Sequence, residues 1–181
     1  MSGRPIVAAR KGTRPSAPRT ILAYTAEDGR LDAVRRAALD LARRDGSRLI
    51  LYDVDAAGIF QKPLPTNWSG QGSEREFGDV LGPADLERAG RHAIASQVVE
   101  ARAGGVDAWA WLPGALGTRD LAEYVGRVGA DLIVIPAEMG HPGGPLEDLV
   151  RGGPEDIEKK LGRLGVEIVV VGPEEERDSD G

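Results

Sequence analysis

Five short apolar runs, alternating with stretches of helical periodicity, set what this chain can fold into. "TILAY" (Thr20 to Tyr24), "RLILYDV" (Arg48 to Val54), "VDAWAWL" (Val106 to Leu112), "DLIVI" (Asp131 to Ile135) and "VEIVVV" (Val166 to Val171) have the length and the β-branched or aromatic content of strands. Between the first two, Leu31, Val34, Ala38, Leu41 and Ala42 recur at three- and four-residue spacing, and Gly46 stops the helix they imply. Pro83 opens a second helix with Leu86, Ala89, Ala93, Ile94, Gln97, Val98 and Ala101 on its apolar side, read as continuous to Gly104 and Gly105. Thr118 caps a third, carrying Leu121, Tyr124, Val125 and Val128 and stopped by Gly129; Ile157, Leu161 and Leu164 mark a short fourth. Parallel strands need crossover connections and helices supply them, so this alternation predicts an α/β fold: a five-stranded parallel sheet, doubly wound, with helices on both faces.

Length and composition narrow the reading. A chain of 181 residues holds one domain with a substantial core, here bounded at 20–173, between a basic tail (1–19) and an acidic one (174–181) that are both expected to be disordered. The first 19 residues carry Arg4, Arg10, Lys11, Arg14 and Arg19 with no acid, whereas residues 173–181 carry five acids against Arg177. No apolar run approaches the roughly 18 residues that span a bilayer, and no signal-like segment opens the chain, so the expectation is a cytoplasmic protein without membrane contact. A formal charge of −6 argues against a nucleic-acid partner, and the absence of cysteine excludes thiolate catalysis, disulfides and cysteine-ligated metal.

In doubly wound sheets ligands bind beyond the carboxyl ends of the strands. That rim comprises Thr25 to Gly29, Asp53 to Asp55, Pro113 to Gly117 and Pro136 to Gly144. Asp53 and Asp55 flank Val54 at a strand end; such carboxylates either hold Mg²⁺ with phosphates or simply face water. His92 falls on a helix and His141 in a loop without a second histidine near either, which makes metal ligation a poor reading. Trp109 and Trp111 share one strand face by parity and read as core or helix-covering residues.

The order of elements resembles the universal stress protein family. The resemblance is carried by "ILAYTAEDG", a strand into a short acidic loop; by "ALDLARRDGSRL", a helix; by "ILYDVD", a strand before a variable loop; and by "GADLIVI" before a glycine-rich turn. It spans Thr20 to Pro173 and implies a Rossmann-like sheet in the order 3-2-1-4-5 and a role in stress response. Nucleotide-binding members carry Gly, two residues, Gly, nine residues, Gly and then Ser or Thr after the fourth strand. Gly140, Gly143 and Gly153 meet the glycine spacing, but Pro154 stands where the hydroxyl residue would be, and proline offers neither hydroxyl nor N–H. Binding members also place an aspartate after the first strand; here Thr25 and Ala26 occupy that place and Glu27 and Asp28 follow. Either acid reaches a ribose hydroxyl, or it satisfies the dipole of the first helix. The candidate ligand set is thus Thr25, Glu27, Asp28, Asp53, Gly140, Gly143, Arg151 and Gly153, with Arg151 as the cation.

Pro136, Pro142, Pro145 and Pro154 each remove a donor from the glycine-rich loop, and Glu138, Glu147, Glu155 and Asp156 surround Arg151 with negative charge. The expectation is therefore a non-enzymatic regulatory or stress-response protein of universal stress type, without a cofactor and with weak or no ATP binding. Three alternatives remain: ATP or AMP binding through Gly140, Gly143 and Gly153, with Mg²⁺; an enzyme of the adenine-nucleotide α-hydrolase-like group using the rim acids; or a pure interaction module whose rim is vestigial. The last strand, lying at a sheet edge in the family's order, predicts a homodimer through Val166 to Val171.

Overall fold

The computed structural model describes residues 7–9, 19–56, 80–113, 118–137, 159 and 161–172. Its chain order is β1 (Val7–Ala9), β2 (Thr20–Thr25), α1 (Asp32–Asp45), β3 (Arg48–Asp53), α2 (Pro83–Arg88), α3 (His92–Ala103), β4 (Ala108–Trp111), α4 (Thr118–Val128), β5 (Leu132–Pro136) and β6 (Glu167–Val171). The five expected strands are parallel and lie in the order β4-β3-β2-β5-β6, which is 3-2-1-4-5 counted along those five. Runs such as Ile21 to Tyr24, Leu49 to Tyr52 and Leu132 to Ile135 are buried on both sides, as strands sandwiched between helices must be.

A sixth strand changes one edge. The segment up to Arg19 is expected to be an unstructured tail, yet Val7–Ala9 lies antiparallel on β6, with Val7 opposite Val171, Ala8 opposite Val170 and Ala9 opposite Val169. The physical reason is the one that suggested a dimer. An apolar terminal strand leaves a row of backbone donors and acceptors unpaired, and here the chain's own N-terminal segment takes some of them. At the opposite edge Leu81 bridges Ala110 of β4 by two backbone hydrogen bonds of 2.8 and 3.0 Å.

The long second helix of the sequence reading is two helices. Gly90 takes φ 73°, the left-handed conformation that ends a helix; the Arg91 N–H returns to the Leu86 carbonyl, and α3 starts afresh at His92. Leu164, expected on the buried side of the last helix, is 52% exposed in the turn beyond Leu161, whereas Leu161 itself is fully buried. Gly46 ends α1 as expected, at φ 65° with its N–H on the Ala42 carbonyl. Gly46→Ala should cost about 1–2 kcal/mol, the penalty of a Cβ in that conformation; thermal unfolding reads it, and an unchanged midpoint would show that the turn relaxes.

Across the sheet face that meets α4 runs a row of aromatic rings set by strand register. Tyr24 pairs with Tyr52 and Tyr52 with Trp111 across adjacent strands. Their rings follow at 4.9 Å stacked and 5.1 Å edge-on, and Trp111 then stacks on Tyr124 of α4 at 3.5 Å. Trp111 is thus a helix-covering residue, as parity implied. Trp109 instead is half-exposed, its ring lying under the Arg102 guanidinium at 4.5 Å.

Candidate functional site

The carboxyl ends of β2 and β3 bring Thr25 and Asp53 side by side on the face that carries α3, and the loops after them carry Glu27, Asp28 and Asp55. Four of the expected site residues, Gly140, Gly143, Arg151 and Gly153, lie outside the described residues, as does His141. The other four, Thr25, Glu27, Asp28 and Asp53, are placed, and each has a partner within the protein.

Asp53 is wholly buried and receives a two-pronged contact from Arg91. The Arg91 Nε donates to Oδ2 at 2.6 Å and an η-nitrogen to Oδ1 at 2.8 Å, while the Asp55 N–H donates to Oδ1 at 2.9 Å. Burial pushes the Asp53 carboxyl above the ordinary carboxylate range, against the downward pull of the Arg91 guanidinium and the Asp55 N–H. Arg91 also approaches Glu27 Oε2 at 3.8 Å.

Glu27 has a job that neither sequence reading assigned. Its Oε1 accepts the Ala93 N–H at 2.9 Å and its Oε2 the Ile94 N–H at 3.4 Å. These are amides in the first turn of α3, which has no side-chain cap of its own and no acid there. Glu27 therefore caps a helix, but α3 rather than α1: a carboxylate from the β2 loop satisfies donors that the broken helix has exposed. Thr25 donates its hydroxyl to Gln97 Oε1 at 2.6 Å, and Gln97 returns Nε2 to the Ala26 carbonyl at 3.4 Å, closing a buried polar pair between β2 and α3.

Asp28 and Asp55 both hold Arg30. Asp28 accepts the Arg30 backbone N–H at 3.1 Å and its guanidinium at 2.8 Å; Asp55 accepts the same guanidinium at 3.1 and 2.5 Å. The Arg30 N–H and guanidinium hold the Asp28 carboxyl below its usual range, and the paired carboxylates hold Arg30 protonated. For Mg²⁺ this geometry is a poor fit. Asp53 and Asp55 already direct their oxygens at guanidinium and backbone N–H groups, and among the described residues no group of three or more His, Cys, Asp or Glu gathers as a metal would need. His92 meets Glu87, a surface contact within the α2–α3 corner.

Arg91 and Gln97 are the functional-end residues the sequence reading passed over. By period Gln97 falls on the apolar side of a helix, and only its polarity there marks it. Arg91 follows Gly90 directly, so a helix stop at Gly90 would have brought it to a helix N-terminus facing the rim. A cavity of about 350 Å³ lined by Arg43, Ser47, Gly104 and Asp107 lies at the other end of the sheet, where residues lead into β3 and β4, and so is remote from this cluster.

No protein-family model matches the chain, and no curated protein matches it. Solved structures do resemble it. A universal stress protein from Archaeoglobus fulgidus is 15% identical over 86% of this chain and 98% of its own, at a TM-score of 0.48. A universal stress protein in complex with cAMP is 22% identical over 84% and 96%, at 0.45. The Archaeoglobus fulgidus protein in complex with dAMP is 16% identical over 87% and 99%, at 0.46. Among the described residues no helix is long and apolar enough to cross a membrane.

Proposed function

We propose that this chain is a non-enzymatic regulatory protein of universal stress type, acting in stress response in the cytoplasm, whose rim binds ATP weakly or not at all. One observation carries the reading of the rim: the carboxylates that would meet a ribose or Mg²⁺ are engaged internally, Asp53 by Arg91 and both oxygens of Glu27 by the start of α3. A ligand seeking those oxygens must break charge-assisted hydrogen bonds around a buried group, and only the difference between new and old contacts appears as affinity. Arg91 and Arg30, the described cations of the cluster, point their guanidinium groups at Asp53 and at Asp28 and Asp55, so a phosphate would have to displace a carboxylate to reach either. The word "stress" rests on the resemblance in "ILAYTAEDG", "ALDLARRDGSRL" and "GADLIVI". Self-association through the last strand belongs to the same reading.

Calorimetry tests it with ATP and Mg²⁺, AMP, cAMP and dAMP as probes. The expected result is a dissociation constant weaker than about 100 µM for each, equivalent to less than about 5.5 kcal/mol of binding free energy. A constant below about 10 µM for ATP, weakened tenfold by Gly153→Val, would overturn the binding statement in favour of the Gly140, Gly143 and Gly153 loop. Steady multiple turnover of ATP would overturn the non-enzymatic one.

A further inference from the structure

The cavity of about 350 Å³ at the end of the sheet opposite the rim lies where α1 turns into β3 and α3 turns into β4, and Arg43, Ser47, Gly104 and Asp107 are among its lining. Residues 42–48 and 101–107 carry Arg43, Arg44, Arg48 and Arg102 against Asp45 and Asp107, so this end is basic in a chain of formal charge −6. Most of those charges are committed. Arg44 Nε donates to Asp45 at 3.0 Å, Arg48 Nε to Asp107 Oδ2 at 2.9 Å, and Arg102 Nε to the Ala108 carbonyl at 2.8 Å. The Trp109 indole N–H takes the other Asp107 oxygen at 2.7 Å; the Arg48 guanidinium first, and then this indole, hold the Asp107 carboxyl below its usual range. Arg43 is the exception. Among the described residues its guanidinium makes no hydrogen bond or ion pair, and it reaches from α1 to the end of α3, where a Cβ added at Gly104 would fall on it. Ser47 is buried, and its Oγ accepts the Arg19 N–H at 3.2 Å while its own hydrogen has no acceptor among the described residues.

We propose that this cavity binds a small zwitterion of the α-amino acid class, its carboxylate on the Arg43 guanidinium and its ammonium toward Asp107 and the carboxyl-terminal ends of α1 and α3. The site is separate from the rim and does not depend on what the rim binds. A guanidinium without a partner is a planar fork that receives a carboxylate through two parallel hydrogen bonds, and the Ser47 hydroxyl adds a third donor. For the ammonium, Asp107 is an ionised acceptor whose oxygens, engaged once each, have capacity for a second donor. The helices α1 and α3 close beside the same cavity, at Asp45 and Ala103, and their negative ends favour a cation and disfavour a doubly charged phosphate. A volume at the low end of the roughly 300–1,000 Å³ of small-molecule sites selects a small ligand. An arginine in a last helical turn offsets the dipole of its own helix wherever it points. That role does not require the Arg43 guanidinium to lie over the end of the neighbouring helix, beside a cavity, while Arg48 and not Arg43 takes Asp107.

Nuclear magnetic resonance titration of the full chain at neutral pH tests this with L-alanine, acetate, ethylammonium and inorganic phosphate as probes. L-alanine should shift the Arg43 Nε–H signal and the Gly104 and Gly105 amide signals saturably, with a dissociation constant at or below about 5 mM. Acetate and ethylammonium, each carrying half of the recognised charge, should bind at least about tenfold more weakly, and phosphate no better than acetate. Arg43→Ala should weaken L-alanine at least about tenfold, and Arg43→Lys should recover only part of that, since lysine keeps the charge and not the fork. Gly104→Ala alters no charge, and the backbone there, at φ −82°, accepts the change; it should weaken L-alanine by displacing the Arg43 guanidinium. The absence of a saturable shift with L-alanine overturns the proposal, as do shifts confined to the rim at Thr25, Glu27 and Asp53. Binding that survives both Arg43→Ala and Gly104→Ala overturns the site, and acetate or phosphate binding as tightly as L-alanine overturns the zwitterion. The mapping on the unaltered chain decides the matter even where a variant fails to fold.

Discussion

Replacing Arg91 with alanine is expected to lower the free energy of unfolding by about 3–5 kcal/mol at neutral pH, because it leaves a fully buried carboxylate without its cation. The loss should depend on pH in a definite sense. Burial already holds Asp53 above the ordinary range, and the Arg91 hydrogen bonds are the largest influence pulling it back, so their removal raises it further. A carboxyl whose folded pKa is raised binds more protons folded than unfolded. Its contribution to stability is then fullest below the unfolded value, about 3.9, and is lost as pH climbs through the raised folded value. The Arg91→Ala penalty should therefore be smallest near pH 4 and grow toward neutrality. Urea unfolding at several pH values measures it, and a penalty under about 1 kcal/mol that does not vary with pH would mean that water serves Asp53 as well as Arg91 does. Asp53→Leu combined with Arg91→Met should cost less than the sum of the two changes, since hydrophobic side chains of similar size remove both charges together.

Truncating Tyr124 to alanine is expected to cost about 3–5 kcal/mol, the range for losing a buried aromatic side chain. Tyr124 is fully buried and forms the helix end of the ring ladder, so the change opens a void against Trp111 and unseats α4 from the sheet. Tyr52→Phe should behave in the opposite way. The Tyr52 ring is held between Tyr24 and Trp111, but its hydroxyl meets no hydrogen-bond partner among the described residues, and burial drives its pKa up. Removing a buried hydroxyl that lacks a partner should stabilise the fold by about 1 kcal/mol. Chemical denaturation of the two variants beside the parent gives both values; a Tyr52→Phe variant destabilised by that amount would reveal a partner for the hydroxyl.

The strands, their parallel order and the first helix were legible in the chain because apolar period and length report burial directly. Ile21 to Tyr24, Leu49 to Tyr52 and Ile133 to Ile135 must be covered on both faces, and only helices between parallel strands do that. The rim was legible as a place but not as a set of contacts. Thr25, Glu27, Asp28 and Asp53 were correctly put at one end of the sheet, yet whether an acid faces a ligand or a guanidinium depends on what a distant segment delivers there. Arg91 lies 38 residues from Asp53, and Gln97 lies 72 from Thr25. Sequence periodicity is a local quantity and carries no term for such pairings.

Gly90 shows the same division at the scale of one residue. A single glycine inside an apolar period is compatible with a continuous helix, so the break between α2 and α3 followed only from where the backbone had to turn. That break then exposed the donors that Glu27 caps and aimed Arg91 at Asp53. The edge of the sheet belongs to this second category too. The valine and isoleucine run of β6 required a partner strand by its own chemistry, because backbone donors and acceptors left open on an apolar edge are costly. Which strand answers is a competition between segments remote in sequence, and here the structure sets Val7–Ala9 in that place.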